Sequence, residues 1–192
     1  MQHARRLLLA TVMVASLGGV STAQDASPSG SPLSSPDAGV PDGLAAAFPT
    51  QLLGEPLEVR TFSGDEVIAG AEEGDAVLAL VDIAAVQGVA ITDFDIASSS
   101  IRRDGLFVGL LAASFSGVPA ADVVGDLTRL ILELDGEVEL TPEVIAGREV
   151  TRVGPGSGLT GESVVYVLTS GDVAWYIVAT DDDLEQIVAA LP

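Results

Sequence analysis

Carboxylates are the only side chains in the body of this chain suited to acid–base work or to holding a metal. Asp93 and Asp95, and again Glu137 and Glu139, recur with the period of a strand and so place their carboxyl groups on one face of a sheet. Two carboxyl groups held about 5 to 10 Å apart cleave glycosides, one as acid and the other as base or nucleophile. That chemistry would make the chain a carboxylate-dependent extracellular hydrolase of glycosidase type. The same spacing is read more simply as a solvated strand face. Aromatic residues for stacking a sugar are scarce, and the Asp-Thr/Ser-Gly signature of aspartic proteases is missing. Asp181-Asp182-Asp183 is the densest acidic cluster and offers the oxygen ligands that calcium prefers. It lacks EF-hand spacing and stands where a helix begins, a position that favours acids through the helix dipole. Weak divalent-cation binding is the most it implies, and no metal ligand is assigned.

Other chemistries are removed by composition. Beyond residue 23 there is no His, Cys, Lys, Met or Asn, since His3, Met1 and Met13 all lie in the first 23 positions. The body of the chain therefore has no imidazole base, thiol nucleophile, Schiff-base amine or soft metal ligand. Ser63, Ser98 to Ser100, Ser114 and Ser116 have no His or Lys to activate them and read as strand-end and turn residues. Gly154-Pro155-Gly156-Ser157-Gly158 resembles a phosphate loop only superficially. A strand rather than a helix N-terminus follows it, and it carries no Lys. No catalytic residue and no cofactor is assigned.

Residues 1–23 have the three parts of a secretory signal: Arg5-Arg6, the apolar run Leu7 to Val20, and small residues Ser21-Thr22-Ala23 at the cleavage position. The run is shorter than the roughly 20 apolar residues of a membrane span and is softened by Ser16, Gly18 and Gly19, so a stable membrane anchor is not expected. Residues 24–43 space Pro28, Pro32, Pro36 and Pro41 among Ser, Gly, Ala and Asp, a composition too polar to offset the entropy of ordering, and form a disordered linker. Residues 44–192 are long enough for one domain with one core. All 28 acidic residues but only 6 of the 8 arginines follow residue 23, a net charge of 6 − 28 = −22 for that part. Nucleic acid and anionic membranes repel such a surface, and a cationic partner is drawn to it.

The elements that must position these residues follow from periodicity. Leu57 to Thr61 alternates as a half-buried strand. Asp75 to Gln87 reads as a helix with Val77, Leu80, Val81 and Ala84 on one face, stopped by Gly88. Ile91 to Ser98 and Leu106 to Phe115 read as strands joined through the hairpin signal Asp104-Gly105. Pro119 to Leu134 is the clearest helix, with Val123, Val124, Leu127, Leu130, Ile131 and Leu134 on one stripe. A short strand over Glu137 to Leu140, a hairpin at Ala146-Gly147, and a last hairpin, Val164 to Thr169 and Val173 to Thr180, come next. A helix closes the chain, with Leu184, Ile187, Val188 and Leu191 inward and Asp181 or Asp182 as its N-cap, Glu185 completing a capping box. The predicted fold is α+β: an antiparallel sheet with helices mainly on one face, a ferredoxin-like βαββαβ opening, extra strands and a C-terminal helix. So few helices leave one apolar sheet face open, which makes Tyr166, Trp175 and Tyr176 of the last hairpin the candidate surface for a protein partner or a small apolar ligand.

Phe48-Pro49 with Gly54-x-Pro56-Leu57, Ile145-Ala146-Gly147-Arg148-Glu149-Val150, and Ser170-Gly171-Asp172-Val173-Ala174-Trp175 leading to Leu191-Pro192 together resemble uncharacterised secreted proteins of high-GC bacteria. The resemblance implies an extracytoplasmic location and an α+β fold. Its motifs are turns and core positions, so it carries over no functional residue. The expectation is a secreted, non-enzymatic binding or interaction module, with the hydrolase as the competing reading.

Overall fold

The computed structural model describes residues 43–70, 75–103, 106–132, 139–154 and 164–192. The leader and nearly all of the linker lie outside these residues, as do Glu137 and the Gly-rich segment after Gly154. A 3-10 turn, Gly43–Ala47, leads into a small hairpin, β1 (Gln51–Leu52) and β2 (Glu55–Pro56). Strand β3 (Arg60–Ser63), helices α1 (Gly64–Gly70) and α2 (Asp75–Gln87), and a 3-10 turn (Ile91–Asp93) come next. They are followed by β4 (Phe94–Arg103), β5 (Leu106–Phe115), α3 (Ala120–Ile131), β6 (Leu140–Ile145), β7 (Arg148–Val153), β8 (Val164–Ser170), β9 (Val173–Ala179) and α4 (Asp181–Ala190).

The chain is α+β. Its main sheet has seven strands in the order β3-β4-β5-β9-β8-β7-β6, and every neighbouring pair is antiparallel. Turn chemistry fixes the hairpins. Arg103 pairs with Leu106 across Asp104-Gly105, whose own placement lies outside the described residues. Ile145 pairs with Arg148 across Ala146 and Gly147, which have φ of 52° and 76°, the two positive values that a tight hairpin turn of this hand requires. The βαββαβ order of elements is present along the chain, with its first helical stretch divided into α1 and α2. Its strands are not interleaved as in a ferredoxin-like unit: β3, β4 and β5 lie side by side as antiparallel neighbours, and β9 joins β5. The strand expected over Leu57 to Thr61 is shifted to Arg60–Ser63, because the Leu57 N–H donates to the Thr50 carbonyl (3.1 Å) and ties that residue to the small hairpin. The strand expected to end at Leu140 instead begins there.

Both faces of the sheet are filled. On one face α2 and α3 cover Phe94, Ile96, Leu111, Phe115, Val165 and Tyr176, with Leu80, Ala84, Val123, Leu127 and Ile131 supplied from the helices. On the other face α4 and the N-terminal segment cover Leu110, Tyr166, Leu168, Trp175 and Ile177, with Phe48, Leu52, Leu184, Ile187 and Val188 supplied from above. Arg148 on β7 fastens α4 to the sheet. Its guanidinium donates to the carbonyls of Val188 (3.3 Å), Leu191 (2.8 Å) and Pro192, and so satisfies the oxygens that a helix C-terminus leaves unpaired.

The entry to α1 is held by a reciprocal cap. The Ser63 N–H donates to Glu66 Oε2 (2.9 Å) and the Glu66 N–H donates to Ser63 Oγ (3.4 Å). Gly64 then passes so close to the 3-10 turn that a Cβ there would stand 1.9 Å from the Ile91 carbonyl oxygen. Gly64→Ala should destabilise the domain by about 3 kcal/mol, the upper part of the usual range for overpacking. Gly125→Ala, in the middle of α3 with nothing within 4 Å, should instead stabilise by about 0.5 to 1 kcal/mol. Urea unfolding of the two variants beside the parent checks both signs.

Candidate functional site

The three aromatic residues expected to form a binding surface are interior. Trp175 is fully buried, and Tyr166 and Tyr176 are 2% exposed. They also point to opposite sides, Tyr166 and Trp175 into the core beneath α4 and Tyr176 into the core beneath α2 and α3. The face expected to be open is closed by α4 together with an N-terminal segment of little regular structure. Phe48, just after the 3-10 turn, lays its ring 4.8 Å from that of Trp175 at 59°.

Each tyrosine hydroxyl has a specific neighbour. The Tyr166 hydroxyl donates to Asp181 Oδ1 (2.7 Å) at the start of α4. Asp181 is thus a partner of the sheet and not a cap: the N-cap is Thr180, which makes no side-chain capping bond. The Tyr176 hydroxyl lies 3.4 Å from that of Thr128, which donates to the Val124 carbonyl (2.6 Å). Burial raises the Tyr166 phenol well above the ordinary tyrosine range, and the Asp181 carboxylate adds in the same direction. Burial alone raises Tyr176, against a small opposing effect of Thr128. A phenol whose proton is held more tightly in the folded than in the unfolded chain contributes stability that is intact below the unfolded value, about 10, and is lost as pH climbs above it. Thermal melts should fall steeply above about pH 10, and Tyr176→Phe should flatten that alkaline limb.

Among the described residues the candidate carboxylates do not converge. Asp95 on β4 is exposed, and Asp93 accepts a hydrogen bond from the Ala90 N–H (2.9 Å). Glu139, exposed, precedes β6, five strands across the sheet from β4 and so about 24 Å away, well beyond the separation that glycoside cleavage needs. Asp181, Asp182 and Asp183 all fall in the first turn of α4. Among the described residues no group of three acidic side chains is placed to hold a metal ion. Ser98 and Ser99 are buried in the middle of β4 and are not strand-end residues.

Among the described residues, the outer side of α2 is left without a packing partner. Its sequence, DAVLALVDIAAVQ, is apolar almost all round, a pattern normally found in helices buried on every side. Leu80 and Ala84 point into the core with Ile83 beside them. At about 100° per residue, Leu78, Val81, Asp82, Ala85 and Val86 occupy the opposite arc. Leu78 is 64% exposed, Val81 39% and Val86 82%. Val81, expected among the inward residues, belongs to this outer stripe. Because apolar residues recur around the whole helix, the sequence contains no phase from which to choose its inward side; the excess of apolar residues over what one face can hold was the legible signal. A second pair of exposed apolar side chains, Leu140 and Val144, lies on the edge strand β6, where Pro142 removes a donor and blunts pairing with another strand. Among the described residues no helix is long and apolar enough to cross a membrane.

Compared with known proteins, the chain matches no family model, no curated protein and no solved structure.

Proposed function

We propose that this is a secreted, non-enzymatic interaction module whose docking surface is the outer face of α2. The observation that carries the reading is the exposure of Leu78 and Val86 on a helix whose other side already fills the core. Three large apolar side chains on the outer arc of one helix cost hydration free energy in the isolated domain, and a partner that covers them recovers it. The leader supports delivery outside the cytoplasm, and the Pro-rich segment supports a spacer at the N-terminal side of the domain.

The pair Leu78→Glu and Val86→Glu tests the reading, because both side chains are exposed and their replacement should change stability by no more than about 0.5 kcal/mol each. The parent protein, immobilised and exposed to the cell-envelope fraction, should retain a partner that the double variant loses while melting at nearly the same temperature. Equal retention by both proteins, or a large drop in the melting temperature of the variant, would remove α2 as the docking surface.

A further inference from the structure

We infer that the occupant of the α2 face is a cationic amphipathic helix of a partner protein; this rests on the reading of that face as a docking surface. Between Arg60 and Arg102 the chain has eight carboxylates and no basic residue. Every ionisable residue of α1 and α2 is acidic, Asp65, Glu66, Asp75 and Asp82, and Asp65, Glu66 and Asp82 are exposed. Asp82 lies within the apolar stripe, one helical turn from both Leu78 and Val86. An apolar strip with the Asp82 carboxylate within it selects a surface of the opposite kind, apolar side chains bordered by Lys or Arg.

Charge also decides against the other occupants. The chain carries a net charge of −20, so a second copy would bring acids against acids along the same stripe. An anionic bilayer is repelled on the same ground. Length favours a helix: from Leu78 to Val86 the stripe runs about 12 Å, and the residues i, i+3 and i+7 of a partner helix span about 10.5 Å. Three exposed side chains make a small contact, well below the roughly 800 Å² per partner of a stable complex, so the association is weak and depends on electrostatic steering.

The test uses the full chain and two fluorescent, helix-stabilised peptides of about 14 residues, identical in their leucine stripe, one flanked by Lys and the other by Glu. At low salt the Lys peptide should bind at least about tenfold more tightly than its Glu counterpart, and about 0.5 M NaCl should remove most of that advantage. Asp82→Asn should weaken the Lys peptide several-fold. The pair Leu78→Glu and Val86→Glu should weaken it by about tenfold or more, while Val144→Glu on β6 should leave it unchanged. Equal binding of the two peptides, or indifference to the stripe variants, would overturn the inference. So would sedimentation showing a dimer that the stripe variants dissolve, which would make a second copy the occupant. If neither peptide binds but the stripe variants still lose their envelope partner, the cationic helix is wrong and the docking surface stands. If the stripe variants change neither readout, both fail.

Discussion

Trp175→Ala should lower the free energy of unfolding by about 3 to 5 kcal/mol, the range for deleting a buried large aromatic side chain. The indole lies in a row that crosses four strands, Ala97, Ala112, Trp175 and Leu168, and the two alanines beside it leave the room its rings fill. The two alanines of the row are too small to spread into the void. Phe48 rests on Trp175, so the substitution also removes the seat of the N-terminal segment. Among the described residues the indole N–H has no hydrogen-bond partner, which makes the contribution one of packing and burial. Trp175→Phe should therefore recover a large part of the loss. Denaturant unfolding measures the free energies, and limited proteolysis near Phe48 should be faster in the alanine variant. A loss under about 1 kcal/mol would mean that the face beneath α4 is loosely covered and would reopen it as a surface.

Leu127→Ala comes next, at about 2 to 5 kcal/mol. Leu127 is fully buried at the centre of the α3 stripe, between Val123 and Ile131 one turn to either side. Its neighbour Asp126 is exposed and, among the described residues, makes only a long pair with Arg129 (3.8 Å), so Asp126→Ala should change stability by no more than about 0.5 kcal/mol. Chemical denaturation of the two single variants separates them, and similar losses would show that α3 is rotated about its axis.

Local chemistry made much of this fold legible. The bounds of α2 follow from its composition and from Gly88, which has φ of 71°. The stripe of α3 follows from a single apolar phase. The hairpins follow from residue pairs that accept positive φ, though at 146–147 an alanine takes one of those positions. The lateral order of strands was not legible, because the pairing of β5 with β9 joins segments separated by a helix and three strands, and no local pattern encodes it. The candidate surface was misplaced for a related reason. Phe48, Leu52 and Leu53 cover the Trp175 face from a stretch with little regular structure, so periodicity gave them no weight as a lid. The orientation of α2 could not be read because both of its sides are apolar.

The position of Phe48 and α4 on one face also bears on how the chain acquires its structure. The core beneath α4 is closed by segments from the two ends of the described chain, and Arg148 can grip the carbonyls of α4 only after that helix has formed. Contacts so distant in sequence exact their loop-closure entropy before any burial rewards it, which slows folding. A chain that emerges from a ribosome or a translocation pore with its N-terminus first can complete the α2–α3 side no sooner than β8 and β9 arrive, and the α4 side only after both. Until then the apolar side chains around Trp175 face solvent, so the growing chain depends for its solubility on the repulsion among its many carboxylates.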